Sequence, residues 1–244
     1  AVFGRFAKDD ARHLPYSVAD TTPMAHPVMQ AVEHLLQLPS LRITLGDWLA
    51  LLEVEAVQSA FDLNADDVDV LKDWLHSAGV RWGLDAQHRL QWGMPDGGAD
   101  GDQNTWSQGL RRLLLNYAMG RHTAATTEWQ GVHGIPQAQV GGLEARLLGA
   151  LSDWLAAMED TWKILSVPHT PADWLGVMQE MLQRFFHPTQ DNDARWLQRA
   201  LEPLEQWVAH CDTAALNAPL PLLVVREQWL SHLEAPGLQQ RFLG

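Results

Sequence analysis

Leu71-Lys72-Asp73-Trp74-Leu75-His76-Ser77-Ala78-Gly79-Val80-Arg81-Trp82-Gly83-Leu84-Asp85, followed after a Gly/Asp-rich gap by Thr105-Trp106-Ser107-Gln108-Gly109-Leu110-Arg111-Arg112-Leu113-Leu114-Leu115-Asn116-Tyr117-Ala118-Met119-Gly120, is the stretch that decides the fold. Its first part has the pattern of a helix end. Trp74 and Leu75 close an apolar stripe, and Gly79 stands where a chain leaves a helix through the left-handed conformation. Val80, Arg81 and Trp82 then continue in an extended path. The second part predicts another helix, with Trp106, Leu110, Leu113, Leu114 and Tyr117 at helical spacing. Two tryptophan-bearing helices joined by an Arg-Trp-Gly corner form the nucleus of an all-α, multi-helix domain. No residue pattern in this stretch makes a reaction centre.

Working outward on the N-terminal side, Pro15 and Pro23 keep residues 1–24 irregular, with a short extended piece over His13–Asp20. From His26-Pro27 the register is helical: Val28, Val32, Leu35 and Leu36 share a face, and Pro39 ends it. Thr44-Leu45-Gly46-Asp47 has the capping-box pattern and starts a short helix through Trp48, Leu49, Leu51 and Leu52. One or two further turns carry Val57 and Phe61. Asn64 caps the next helix, with Asp66 and Asp67 in its first turn and Val68, Leu71, Trp74 and Leu75 inward.

On the C-terminal side, residues 94–104 are predicted to be a flexible loop. The longest helix is expected over Val140–Leu165, burying Leu143, Leu147, Leu151, Trp154, Leu155, Met158 and Trp162. Thr170-Pro171-Ala172-Asp173 is a clean helix start, with a capping hydroxyl, proline at the first position and an acid at the third. That helix would bury Trp174, Leu175, Met178, Leu182 and Phe185. Asp191–Cys211 gives another, carrying Trp196, Leu197, Leu201, Leu204, Trp207 and Val208, which Pro203 should kink or interrupt. A last helix spans about Leu222–Leu233.

Composition narrows the function classes. Hydrophobic residues make up 46% of the 244 and charged residues 19%, so the chain can bury a real core. Twelve Trp against two Tyr indicates helix packing through indoles. A formal charge of -13 argues against gripping nucleic acid over a broad surface, although local arginines can still do so. A single cysteine, Cys211, excludes an internal disulfide and fits a reducing compartment. No apolar run is long enough to span a bilayer. The start at Ala1 and the end after Arg241-Phe242-Leu243-Gly244 lead us to expect a piece of something longer.

Lysine occurs only at 8, 72 and 163 and never follows a glycine-rich loop, so nucleotide binding in the P-loop manner is excluded. His122, His133 and Glu128 form a loose metal-ligand composition, as do His187, Asp191 and Asp193; surface histidines and helix-terminal acids explain both without a metal. Asp96, Asp100 and Asp102 depart from calcium-loop spacing and are expected in a solvated linker. Cys211 has the pattern of an inert packed thiol. No catalytic, cofactor-binding or metal residue is assigned. The candidates for nucleic-acid contact, by stacking and by phosphate pairing, are Arg81, Trp82, Arg111 and Arg112.

The ordered strings His26-Pro27-Val28, Leu35-Leu36-Gln37-Leu38-Pro39, Leu49-Ala50-Leu51-Leu52, Phe61-Asp62-Leu63, Trp74-Leu75 and Gly79–Asp85 resemble RecC, the gamma subunit of bacterial exodeoxyribonuclease V. So do Thr105-Trp106, Gly109-Leu110, Leu113-Leu114, Tyr117-Ala118-Met119 and the terminal Gln239–Gly244. The resemblance is dense over residues 15–120 and looser beyond. RecC is similar to a superfamily-one helicase without its ATPase motifs. His13–Asp20 resembles the segment at motif IV that leads from the second motor domain. The resemblance therefore implies residues 1–24 as a lead-in and 25–244 as the helical 2B-type accessory domain, with room for a subdivision near 121–139. It implies a non-catalytic scaffold and DNA-handling role in repair of double-strand breaks. The implied partners are the RecB and RecD motors and double- and single-stranded DNA. The implied location is the bacterial cytoplasm, without cofactor or membrane, and the isolated piece is expected to be monomeric. Two rivals are a generic helical adaptor and a helical metal-dependent phosphohydrolase.

Overall fold

The computed structural model describes residues 26–95, 101–119 and 145–234, with the backbone alone at 128–129, 132–133 and 231–234. The expectations for residues 1–24, for His122, for Asp96 and Asp100 and for the chain end lie outside the described residues.

The described chain is helical: α1 Pro27–Leu36, a 3-10 turn Leu38–Ser40, α2 Leu45–Leu52, α3 Glu55–Ala60, α4 Ala65–Ser77, α5 Ala86–Leu90 and α6 Trp106–Met119. A two-residue antiparallel hairpin follows, β1 Glu128–Trp129 with β2 Val132–His133, pairing Glu128 with His133 and Trp129 with Val132. Then come α7 Ala145–Leu165, α8 Pro171–Phe185, α9 Asp191–Thr213 and α10 Leu222–Glu234.

Helix starts follow local chemistry. The Thr44 hydroxyl accepts from the Asp47 amide at 3.2 Å while the Asp47 carboxylate accepts from the Thr44 amide at 2.6 Å, closing the capping box. Asn64 and Asp67 do the same for α4 at 3.0 and 3.1 Å. Thr170 caps α8 ahead of Pro171, as its pattern required.

One contiguous apolar core joins the helices. At its centre three fully buried indoles, Trp48 on α2, Trp106 on α6 and Trp154 on α7, lie with ring centroids 5.1–6.0 Å apart. Tilted and edge-on pairs of this kind add to the area they bury. Polar ties hold the second half to the first. The His187 amide donates to the Ala56 carbonyl at 2.8 Å, and Thr189 and Gln190 both bond to Glu55. His26 stacks on Trp196 at 5.1 Å and lies 3.6 Å from Asp193.

Several expectations change. α6 buries Trp106, Gly109, Leu113, Leu115 and Asn116, while Leu114 and Tyr117 are exposed. The cause is Gly109, whose missing side chain lets α6 seat directly on Val80 and turns the inward line to 106–109–113–116. Among the described helices α9, with 23 residues, is longer than α7, with 21; the predicted start of α7 at Val140 and its Leu143 lie outside the described residues. Pro203 sits inside an unbroken α9. The hydrogen bond it cannot make to the Arg199 carbonyl is offset by tertiary packing: Ala200 and Leu204 are buried, and the Trp229 indole donates to the Ala200 carbonyl. Leu175, Trp162, Trp196, Leu197, Leu201 and Trp207 are only half-buried, at the margin of the core.

Candidate interaction site at the Arg-Trp corner

The corner is built by two glycines in the left-handed region. Gly79, at φ 79°, turns the chain out of α4, and Gly83, at φ 82°, turns it toward α5. A side chain at 83 would be strained by that φ and would stand 2.9 Å from the Arg89 side chain. Between them Trp82 makes an antiparallel bridge to Thr44, and the Arg81 amide donates to the Asn104 carbonyl at 2.9 Å. The first amides of α6 find acceptors in the corner: Trp106 donates to the Gly83 carbonyl at 3.0 Å and Ser107 to that of Leu84 at 2.9 Å. The Trp106 indole donates to the Ile43 carbonyl at 2.8 Å, and Ile43 itself holds a φ of 54°, costly for a β-branched residue.

Arg89, on α5, locks this arrangement. Its guanidinium donates to the carbonyls of Gln103 at 2.6 Å, Trp82 at 2.8 Å and Gly101 at 3.4 Å, and its carbon lies 4.6 Å from the Trp82 ring centroid. Burial lowers its pKa, with the Asp102 charge opposing the shift, and an arginine stays protonated through either effect. Sequence reading passed over Arg89, because an arginine four residues after Asp85, the cap of α5, looks like an ordinary solvated side chain.

Asp102 is a second node. It accepts from the Ala86 amide at 2.8 Å and pairs with Arg111, and its carbonyl takes the Thr105 hydroxyl at 2.8 Å. Asp102, expected in a solvated linker, is instead fastened to α5 and α6, since a carboxylate gains more from an amide and a guanidinium than from water here. Arg112 donates to the Ala78 carbonyl at 2.7 Å, closing the end of α4, and desolvation lowers its pKa.

Of the four residues singled out from sequence, Arg111 and Arg112 are thus engaged within the fold. Trp82 is half-buried, with Arg89 on its ring and Arg42 5.5 Å from its centroid. Arg81 is exposed, and in an extended stretch consecutive side chains leave on opposite sides, so it stands apart from the Trp82 ring. The structure adds Arg42, exposed, whose guanidinium also lies 5.5 Å from Trp92. Only tertiary contact brings 42, 82 and 92 together.

Elsewhere, no group of three or more His, Cys, Asp or Glu among the described residues could hold a metal ion. His187 is exposed, and Asp193 faces His26. Cys211 is buried and burial raises its pKa, with Asp212 adding to the shift, which keeps the thiol protonated and unreactive. An open groove of about 560 Å³ between α3 and α7 is lined by Phe61, Asp62, Arg146, Asp153 and Arg184. Its cations are taken, Arg146 by Asp67 at 2.7 Å and Arg184 by Asp160 at 3.1 Å. None of the described helices is long and apolar enough to cross a membrane.

Comparison with known proteins places this arrangement. The family model described as the RecBCD enzyme subunit RecC fourth domain matches residues 25–237. RecC of Escherichia coli K12 is 34% identical over 248 residues, covering 100% of this chain and 21% of that protein. RecC of Haemophilus influenzae is 25% identical over 245 residues, covering 100% of the chain and 20% of the relative. RecC of Mycolicibacterium smegmatis is 28% identical over 174 residues, 71% of the chain and 15% of the relative. The chain spans about one fifth of the length of the first two relatives. With a helical fold over the described residues and a family match across most of its length, this chain belongs to the RecC family, in the region of its fourth domain.

Proposed function

We propose that the chain is a non-catalytic scaffold domain of a RecC subunit, residues 25–244 forming a helical accessory unit that works beside the RecB and RecD motors in the bacterial cytoplasm. Its task is to hold shape next to DNA at double-strand breaks during recombinational repair. The observation that carries this reading is the use made of the corner's polar groups. Arg89, Asp102, Arg111 and Arg112, the side chains able to polarise a substrate or clamp a phosphate, are bonded to backbone carbonyls and amides or to each other. Groups engaged in this way set geometry and are not free to follow a reacting centre. The four sequence candidates differ in what they leave for DNA. Arg81, exposed and without a carboxylate partner among the described residues, is the one free to meet a phosphate.

Titrating the purified chain against RecB and against a forked duplex, at low and at moderate salt, tests the proposal. RecB binding should survive moderate salt, whereas duplex binding should be weak and fall away, because a single phosphate contact gives a salt slope of about -1. Cleavage of DNA by the chain alone, or failure of the full-length subunit to assemble with RecB when residues 25–244 are intact, would overturn it.

A further inference from the structure

The side chains of Leu90, Trp92 and Met94 take no part in locking the corner, and Arg42 joins Trp92 to the Trp82 ring on which Arg89 also lies. Arg42 bridges two indoles, its guanidinium carbon 5.5 Å from each centroid. Leu90 is 49% exposed, Trp92 36% and Met94 46%, so the indole under this cation carries solvent-exposed apolar side chains two residues to either side along the chain. Arg42 has no carboxylate partner among the described residues, in a chain that carries 30 acids against 17 bases.

We propose that this surface docks a protein segment bearing both acidic and apolar side chains. Charge complementarity sets the first requirement. Stacking on aromatic rings orients the guanidinium and leaves its donors to an incoming carboxylate, the planar two-bond partner it fits best. Composition sets the second, since Trp, Arg and Met are the side chains enriched where proteins meet, and buried Trp and Arg carry most of the binding energy there. A nucleic-acid strand fits less well. Bases stack on free aromatic faces, and Trp82 already has two guanidiniums against its ring. A phosphate track needs several cations in line, whereas this patch offers one and exposes aliphatic Leu90 and Met94 beside it. The inference rests on the reading of the chain as a domain working inside a larger assembly.

The test uses the full-length subunit assembled with RecB and RecD, with benzoylphenylalanine in place of Met94 as a photo-crosslinker. Irradiation with and without a forked duplex should link position 94 to a peptide rich in Asp or Glu and in apolar residues. Arg42→Glu should lower the yield at least tenfold while leaving the thermal transition of the tryptophan fluorescence in place. Should that variant lose its fold, Leu90→Asp, at a half-exposed side chain, must produce the same fall. Linkage to DNA, linkage to a basic peptide, a yield indifferent to both substitutions, or an assembled complex giving no protein cross-link would each overturn the proposal. Gel filtration before irradiation separates the two readings: an intact complex that gives no cross-link sinks the docking surface alone, while absence of the complex sinks the scaffold reading and this one with it.

Discussion

Replacing Gly109 with alanine probes the close approach that orients α6. In an exposed helix the change would stabilise by about 1 kcal/mol through propensity alone. Here the new Cβ would lie 2.2 Å from the Val80 Cγ2, where even a tight contact needs 3.0 Å or more. Val80 is 2% exposed and stiff about its first torsion, so it cannot swing aside without leaving its rotamer well. Overpacking of this kind costs about 1–3 kcal/mol, and a displacement near 1 Å in the nucleus belongs at the upper end. The expected net effect of Gly109→Ala is therefore a loss of about 1–2 kcal/mol. Val80→Ala alone should lose about 2 kcal/mol for its two buried methyl groups. The two together should be no less stable than Val80→Ala alone, because the new methyl enters the space the valine vacated. Urea unfolding followed by tryptophan fluorescence measures all three, with equal m-values as the check that the comparison holds. A Gly109→Ala variant as stable as the parent, or a double variant whose losses simply add, would refute the packing argument.

Other outcomes follow from the same core. His88 is fully buried against Trp162, and burial lowers its pKa from 6.5 to about 4, with Asp85 opposing and Arg89 reinforcing the shift. A depressed histidine pKa means that the fold requires the neutral ring: its contribution is complete above pH 6.5 and is lost as pH falls toward 4. The limiting loss is about 3 kcal/mol, reduced to about 1–2 by relaxation and solvent screening, and in melting curves His88→Phe should flatten the slope between pH 4 and 6.5. Arg89→Lys should cost about 2 kcal/mol in chemical denaturation, because one ammonium cannot serve three carbonyls and stack on Trp82 at once. Trp106→Phe should cost about 2–4 kcal/mol; the Ile43 carbonyl keeps only the Gly83 amide at 3.3 Å, and a gap the size of the difference between indole and phenyl opens beside Trp48 and Trp154. Thr44→Ala should remove about 1 kcal/mol by opening the α2 capping box, as thermal unfolding would read.

What the sequence determined by itself is the set of helices and their starts. Capping at Thr44, Asn64 and Thr170 is settled within four residues, and so is the turn at Gly79, because those hydrogen bonds and that φ depend on neighbours along the chain. The apolar stripes of α1, α4 and α8 were legible for the same reason, as periodicity names a face before its partner is known. Which way α6 turns was decided only by the contact of Gly109 with Val80, a distance that spacing within one helix cannot encode. The survival of α9 through Pro203 was likewise tertiary, since packing outweighs a single lost backbone bond. The corner behaves the same way. Arg81, Trp82, Arg111 and Arg112 drew notice as a composition, but Arg89 and Asp102 hold the site and Arg42 and Trp92 give it an outer face, because a guanidinium's partners are chosen by what the fold carries within reach of it.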